Sequence, residues 1–211
     1  MAAKKTTTTK INPYTTLLET GRTISRTKDA REWYRKQARG IKRNSTGTKP
    51  NQLLMDARIR GNLKSTLKEK LMIGHMYMFV YDPKLAESLP YYDRFPLVFP
   101  FQPIEDGFTG INMHYLSPKY RAILMDKLYP LLRNKKMDET TRLRLSYNLL
   151  NRSKKYKYFK PCIHSYLKKQ VKSRYIQVPM EEWDIALFLP TERFIGATRK
   201  KVWIDSRSHF K

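Results

Sequence analysis

The spacing of apolar positions divides the chain into a strand-rich middle and a helix-rich C-terminal part. The run MIGHMYMFVYD (72–82) alternates methionine and valine with aromatic residues, the period of two typical of a β-strand. Two further apolar runs follow, FPLVFPF (95–101) and FTGINMHYL (108–116). The prolines of the first confine it to a sheet edge or an irregular strand. Together the runs predict a small antiparallel sheet or barrel over 72–116.

After residue 116 the apolar spacing changes to three and four, which is typical of helices. The serine–proline pair at 117–118 has the composition of a helix start, and Asp138 can cap a second helix. A third helix is predicted after Pro161 and a fourth after Pro179, so helices occupy 117–190. The tail RKKVWIDSRSHFK could add a C-terminal strand.

The N-terminal part carries fewer signals. Residues 1–50 are predicted to be an extended basic arm with a short helix over 28–43, and a second amphipathic helix is predicted over 52–71. Residues 51–211 would then form a single α+β domain with the sheet in the middle, several packed helices and the C-terminal strand.

Charge changes this picture by suggesting a partner. The chain has 43 Lys and Arg against 18 Asp and Glu, a net charge of +25. Residues 1–70 and 131–211 each carry a net charge of +13, whereas 71–130 is near neutral at −1. Self-repulsion at this density destabilises a compact chain, so an anionic partner is expected. Nucleic acid is the leading candidate.

Four basic tracts are the candidate nucleic-acid-binding residues, because their cations can neutralise phosphates while neighbouring rings stack on exposed bases. The rings are Tyr156, Tyr158, Phe159 and, in the N-terminal tract, Trp33. The tracts are Arg31, Arg35, Lys36, Arg39, Lys42 and Arg43; Lys154, Lys155, Tyr156, Lys157, Tyr158, Phe159 and Lys160; Lys168, Lys169, Lys172 and Arg174; and Arg199, Lys200 and Lys201.

The sequence offers little for catalysis. No histidine pair has metal-ligand spacing, the single cysteine excludes a disulfide framework or a cysteine-based zinc cluster, and no phosphate-binding glycine loop is present. Asp82, Asp93, Glu105 and Asp106 are interpreted as turn formers rather than as metal ligands. We therefore expect no enzymatic activity, catalytic residue, metal or cofactor. No run of 18 uncharged apolar residues exists, so no membrane partner is expected.

Three segments carry a resemblance to a known family. They are residues 81–129, which include LPYYDRFPLVF, then KPCIHSYL (160–167), and EEWDIALFLPTERF, which ends at Phe194. Over about residues 70–205 the chain resembles the DNA end protectors among the virion proteins of T-even-type tailed phages. The resemblance implies a non-enzymatic protein at the ends of packaged DNA near the portal, which shields them from host exonuclease after injection. It assigns no individual residue.

The preferred hypothesis is a virion protein that caps or protects the ends of packaged linear double-stranded DNA. It would contact other virion proteins near the portal, neck or tail, and would also occur in the host cytoplasm during assembly and after injection. One alternative is a structural adaptor of the neck, tail or baseplate with no direct DNA role. A second is a basic ribosome-associated protein, which the proline-studded aromatic centre disfavours.

Overall fold

The structure is a computed structural model that describes residues 13–19, 28, 32, 67–68 and 71–208. Over these ranges the fold is α+β with an antiparallel sheet, as the sequence predicts. The strands are β1 (Leu67–Lys68), β2 (Met76–Met78), β3 (Tyr92–Asp93), β4 (Leu97–Ile104), β5 (Gly107–Asn112), β6 (Ile163–Leu167), β7 (Tyr175–Val178) and β8 (Phe194–Ile195). The helices are α1 (Pro13–Glu19), α2 (Pro118–Leu132), α3 (Glu139–Ser153), α4 (Trp183–Phe188) and α5 (Arg199–Ser208).

The main sheet has six strands in the order β1-β7-β2-β4-β5-β6, and β3 pairs separately with β8. Every pairing is antiparallel. Over the described residues β1 and β6 end the order and do not pair with each other, so this part of the chain forms an open sheet rather than a barrel. The sheet also extends beyond the predicted range 72–116, because β1, β6 and β7 belong to it.

The alternation around β2 places its side chains in two separate cores, one on each face of the sheet. Met76 and Met78 belong to the main core, which also contains the buried Trp183 and apolar side chains of α2. Tyr77 and Phe79 belong to a smaller aromatic cluster on the other face. Both faces are therefore buried, although regular strand pairing is limited to Met76–Met78.

Strand β4 is interior, so of the two alternatives predicted from its prolines the sheet edge is wrong and the irregular strand is confirmed. It pairs with β5 along its length but with β2 only through Leu97 and Val98. Pro100 and Pro103 lie beyond that short pairing, where a missing N–H breaks no ladder bond to β2. The pairing with β5 shifts register between Pro100 and Gln102, so the predicted irregularity is present.

Helices α2 and α3 confirm the predictions for that part of the chain. Pro118 lies at the start of α2, and the side chain of Asp138 accepts a hydrogen bond from the Thr141 N–H at 2.9 Å to cap α3. The start predicted after Pro179 is also confirmed, as a 3-10 turn over Met180–Glu182 that leads into α4.

Two predicted elements in the C-terminal part are wrong. The segment after Pro161 is strand β6 rather than a helix, because it pairs with β5 and Tyr166 stacks on Phe108 at 5.3 Å. The tail is helix α5 rather than a strand. Its buried residues Val202 and Ser206 are four apart and so share one helix face.

Part of the predicted N-terminal region is also described. Helix α1, predicted as part of an extended arm, docks instead on the body: the Tyr14 ring stacks on Phe188 at 5.7 Å and its hydroxyl donates to Asp184 at 3.0 Å. The end of the predicted 52–71 helix is wrong, since Leu67–Lys68 pair with β7.

Lys28 and Glu32 have helical backbone, while the rest of 28–43, the rest of the predicted arm, and residues 52–66 lie outside the described residues. The division into an arm over 1–50 and a domain over 51–211 stays a prediction. None of the described helices is both long enough and apolar enough to cross a membrane.

Candidate nucleic-acid interface

The best-formed candidate surface is residues 154–160, named here the tyrosine–lysine segment, which connects α3 to β6. Successive turns hold its backbone: Lys155 N–H donates to Arg152 O at 3.1 Å, and Phe159 N–H donates to Tyr156 O at 2.9 Å. The side chains of Lys155, Lys157 and Lys160 belong to exposed residues. The predicted mixture of cations and rings is therefore presented from a hydrogen-bonded turn.

Two rings of the tyrosine–lysine segment face solvent. Tyr156 is 58% exposed and Tyr158 is 38% exposed. Tyr158 stacks on Tyr120 of α2 with ring centroids 4.7 Å apart. The Lys127 ammonium lies 5.9 Å from the Tyr156 ring centroid. The neighbouring helix thus supports both rings and adds a cation beside them.

The other members of the segment anchor it. Phe159 is partly buried and packs against the main core, so its ring offers less surface than the two tyrosines. The Lys154 ammonium lies over the Phe101 ring at 4.7 Å. Of the predicted stacking rings that the structure describes, Tyr156 and Tyr158 are the accessible pair.

The tract Lys168–Arg174 lies elsewhere on the sheet. Lys168 N–H donates to Asp106 O at 2.8 Å and Lys172 N–H donates to Val80 O at 2.8 Å. Lys168, Lys169 and Lys172 are exposed, and Arg174 is half-buried. This tract therefore lies beside the β4–β5 turn, which carries Glu105 and Asp106.

The tract Arg199–Lys201 forms the first turn of α5. Lys200 and Lys201 are exposed, and Arg199 lies 3.5 Å from the Glu192 carboxylate. Cations near a helix N-terminus are unfavourable because the helix dipole is positive there. A bound phosphate would relieve that repulsion.

The remaining predicted tract lies outside the described residues and stays a prediction, together with Trp33. Its members are Arg31, Arg35, Lys36, Arg39, Lys42 and Arg43.

Three residues that the sequence did not single out join the tyrosine–lysine segment. Tyr120 and Lys127 are seven residues apart on α2 and contact Tyr158 and Tyr156, respectively. Burial and the neighbouring Tyr158 hydroxyl raise the pKa of Tyr120, an effect that nearby Arg207 of α5 opposes. The seven-residue spacing is a usable signal, but apolar periodicity assigns Tyr120 to the buried stripe of the helix. Arg207 has no such signal because the tail is predicted as a strand.

Asp93 and His114 form a buried polar network. Asp93 also makes the contact of a turn former, since its side chain accepts a hydrogen bond from the Phe95 N–H two residues on, whereas His114 lies in a 3-10 turn and not in a strand. The Asp93 carboxylate lies 2.6 Å from His114 Nδ1, and His114 Nε2 lies 3.0 Å from Thr191 Oγ1. The carboxylate also accepts hydrogen bonds from the backbone N–H groups of Phe95 and Arg193, at 3.0 and 3.2 Å respectively. Asp93 therefore joins two loops through hydrogen bonds to both.

The Asp93–His114–Thr191 geometry is similar to that of an acid–base–hydroxyl triad, but its surroundings are those of a structural network. The side chains of His114 and Asp93 are 0% and 1% exposed, so no substrate can reach them. The carboxylate is held ionised: burial alone would raise the pKa of Asp93, but His114 and Asn112 lower it overall. Among the described residues, no three His, Cys, Asp or Glu side chains could hold a metal ion.

Buried Arg121 secures α5 against this network. Its guanidinium donates to Leu116 O at 2.7 Å, Leu187 O at 2.9 Å and His114 O at 2.9 Å. The Trp203 indole N–H donates to the same His114 carbonyl at 2.8 Å. The helix that carries Arg207 is thus fixed relative to the sheet.

Comparison with known proteins gives one family. The family model described as phage T4 terminal DNA protecting protein matches residues 2–206. The match includes the N-terminal region, where the sequence itself showed no resemblance. Neither a curated protein nor a solved structure matches the chain.

Proposed function

Because the chain belongs to the family of the phage T4 terminal DNA protecting protein, we propose that it binds the ends of linear double-stranded phage DNA and shields them without chemistry. The family match over residues 2–206 is the observation that carries the proposal. The tyrosine–lysine segment supplies a surface with the chemistry that this function needs.

The exposed rings support a preference for ends. The last base pair of a duplex leaves one stackable face uncovered, whereas every internal face is hidden by its neighbour. Tyr156 and Tyr158 are exposed rings on an ordered backbone, suited to cover such a face. Stacking of this kind contributes about 1–3 kcal/mol per base and tolerates any sequence.

The cations support binding to the strands behind the end. Lys155, Lys157 and Lys160 flank the rings, and Lys127 and Arg207 come from neighbouring helices. Each phosphate that they neutralise releases counterions, which makes binding steeply salt-dependent. The basic tracts at 168–174, at 199–201 and in the N-terminal region would extend the contact along the duplex.

We also propose a location for the protein. It would sit in the virion at the packaged DNA end, in contact with other virion proteins near the portal, neck or tail, and it would accompany the DNA into the host cytoplasm. No membrane contact is proposed.

An exonuclease-protection assay on linear duplex DNA, repeated over a salt series, tests this function. We expect protection in dilute buffer at protein concentrations too low to coat the duplex, and loss of protection as salt rises. Degradation at the unprotected rate in dilute buffer would contradict the proposal. Salt-resistant association with a portal or baseplate protein, without DNA affinity, would instead select the adaptor role.

A further inference from the structure

Strand β6 is an edge of the main sheet that lacks the usual protection of edge strands. Its sequence, IHSYL, contains no proline and no Asp, Glu, Lys or Arg. Natural edge strands are commonly very short, or carry prolines, bulges or charged residues, because an unprotected edge pairs readily with another chain. The opposite edge, β1, fits that pattern in its described part, which has two residues of which one is Lys68. The unprotected edge of β6 therefore needs an explanation.

The pairing with β5 fixes which backbone groups of β6 point outward. Lys168 N–H donates to Asp106 O at 2.8 Å, so Lys168 continues the ladder with β5 as a hydrogen-bonded position. Because such positions alternate along an antiparallel pair, Leu167 and Ser165 direct their N–H and C=O groups away from β5. The Leu167 N–H agrees with this direction, since it donates to the Tyr81 hydroxyl at 3.3 Å.

Ser165 carries the free backbone groups of this edge. The residue is exposed, and in the described part of the chain no partner lies on the outer side of its N–H or C=O. A free N–H and C=O on one residue can form a reciprocal hydrogen-bonded pair with a residue of a second, antiparallel strand. The edge thus offers the main-chain contacts of strand addition, in which an extended peptide joins an exposed sheet edge.

A cavity of about 390 Å³ opens beside the same edge. Three residues of β6 line it, together with the exposed Leu89 and the half-buried Tyr92 from the segment around β3. Successive side chains of a strand point to opposite faces of a sheet. In an added strand, the two neighbours of the residue paired with Ser165 would share a face with His164 and Tyr166 and point toward the cavity. Apolar neighbours suit this lining.

Positive charge flanks both ends of β6. Lys160 lies shortly before the strand, Lys168 and Lys169 follow it directly, and all three residues are exposed. The strand between them has no charged residue. An extended segment with acidic residues at both ends and apolar residues near its centre is therefore complementary to this edge in charge as well as in hydrogen bonding.

We propose that β6 binds an extended acidic segment of another virion protein by antiparallel strand addition, with one residue of that segment paired to Ser165. This contact goes beyond the proposed binding of DNA, because it uses the sheet edge rather than the exposed rings. A protein held in this way would stay attached to the virion while Tyr156 and Tyr158 remain available to a DNA end.

Two heptapeptides test the proposal with the full chain. The first has threonine at its centre, valine on each side and two glutamates at each end. The second differs only by N-methylation of the threonine amide, so it keeps the charge but lacks the donor for the Ser165 carbonyl. By fluorescence anisotropy of labelled peptide, we expect N-methylation to weaken binding on the order of tenfold, because the carbonyl loses its partner. Equal binding of the two peptides, or no binding of the first in dilute buffer, would overturn the proposal.

A pair of variants separates the backbone of Ser165 from its side chain. Ser165→Pro removes the outward N–H and leaves the ladder with β5, since that N–H does not face β5. Ser165→Ala removes the same hydroxyl and keeps the N–H. We expect Ser165→Pro to lose the preference for the unmethylated peptide and Ser165→Ala to keep it, with urea unfolding as the check that both fold. An unchanged preference in folded Ser165→Pro would contradict pairing at this residue.

Amide hydrogen exchange in the wild-type protein provides a readout that needs no variant. The Ser165 amide should exchange rapidly in the free protein and roughly tenfold more slowly with saturating unmethylated peptide, because strand pairing protects the N–H. Protection in the free protein that is lost on dilution would indicate a second copy on this edge. Protection that persists on dilution would indicate another segment of this chain. Either outcome would overturn the assignment of β6 to a partner protein.

Discussion

Charged groups serve opposite purposes in the centre of the protein and in the tyrosine–lysine segment. In the centre, Asp93 and Arg121 are buried, and each is surrounded by hydrogen-bond partners from distant parts of the chain. In the segment, Lys155, Lys157 and Lys160 are exposed on a turn that also carries exposed rings. The first arrangement fixes the structure, and the second leaves charge available to a partner.

This difference also explains why net charge is a guide to partners and a poor guide to fold. The near-neutral middle contains the charges on which stability depends, because burial raises the cost of losing a partner. The cationic segment contributes little to stability, since exposed charges are screened by solvent. Substitutions in the two regions should therefore separate stability from DNA binding.

The largest effect is expected from Asp93→Ala. It leaves His114, Asn112 and two backbone N–H groups without their shared acceptor, so the free energy of unfolding should fall by about 3–5 kcal/mol. Urea unfolding measures this. Asp106→Ala, in the exposed β4–β5 turn, is the matched control and should be nearly neutral. Similar losses in both variants would contradict the structural role of the network.

Acid should weaken the same region. Burial lowers the pKa of His164 from 6.5 to about 4. As pH falls below 6.5, the unfolded chain therefore binds a proton that the folded chain does not bind. The contribution of His164 to stability is therefore constant above pH 6.5 and decreases down to about pH 4. Lowering of the Asp93 pKa acts in the same direction at still lower pH. Urea unfolding across this pH range should show a smaller decrease in the free energy of unfolding for His164→Gln than for wild type. An equal decrease in the two proteins would contradict the role of His164 in this loss of stability.

Removing an exposed ring should affect binding and spare stability. Tyr156→Ala is expected to weaken binding to duplex ends by about 1–3 kcal/mol because a stacking ring is removed. The free energy of unfolding should change by less than about 0.5 kcal/mol because the ring is 58% exposed. Fluorescence anisotropy and urea unfolding measure the two quantities. Ile204→Ala, another exposed apolar side chain, should change neither, and equal weakening by both would argue against ring stacking.

The smallest effect per residue is expected from the lysines. The pair Lys155→Gln and Lys157→Gln should reduce the steepness of the log–log salt dependence of binding by about 0.9 for each phosphate that is no longer neutralised. The pair Lys84→Gln and Arg94→Gln changes the net charge equally but lies in the near-neutral middle. An identical slope in the two double variants would show that only total charge matters.

The sequence predicts the elements whose signals are local. The Asp138 cap, the proline at the start of α2 and the alternation through β2 each involve neighbouring residues, and all three are confirmed. Local spacing predicts a helix where β6 lies. The segment is a strand because it pairs with β5, more than fifty residues away, and the spacing of neighbouring residues carries no signal of that pairing. Similarly, Asp93 resembles a turn residue in sequence because its partners His114 and Thr191 are distant along the chain.

The candidate site divides in the same way. Tyr156, Tyr158 and their lysines are contiguous, so composition alone indicates them. Tyr120, Lys127 and Arg207 join them only through the packing of α2 and α5.

Competition between linear duplex DNA and the same sequence closed into a circle tests whether the protein recognises DNA ends. The two forms share charge and sequence and differ only in having ends. In dilute buffer, we expect linear DNA to displace the circle and the preference for linear DNA to fall in Tyr156→Ala. Equal affinity for the two forms would contradict end binding and leave only general attraction between a basic protein and a polyanion.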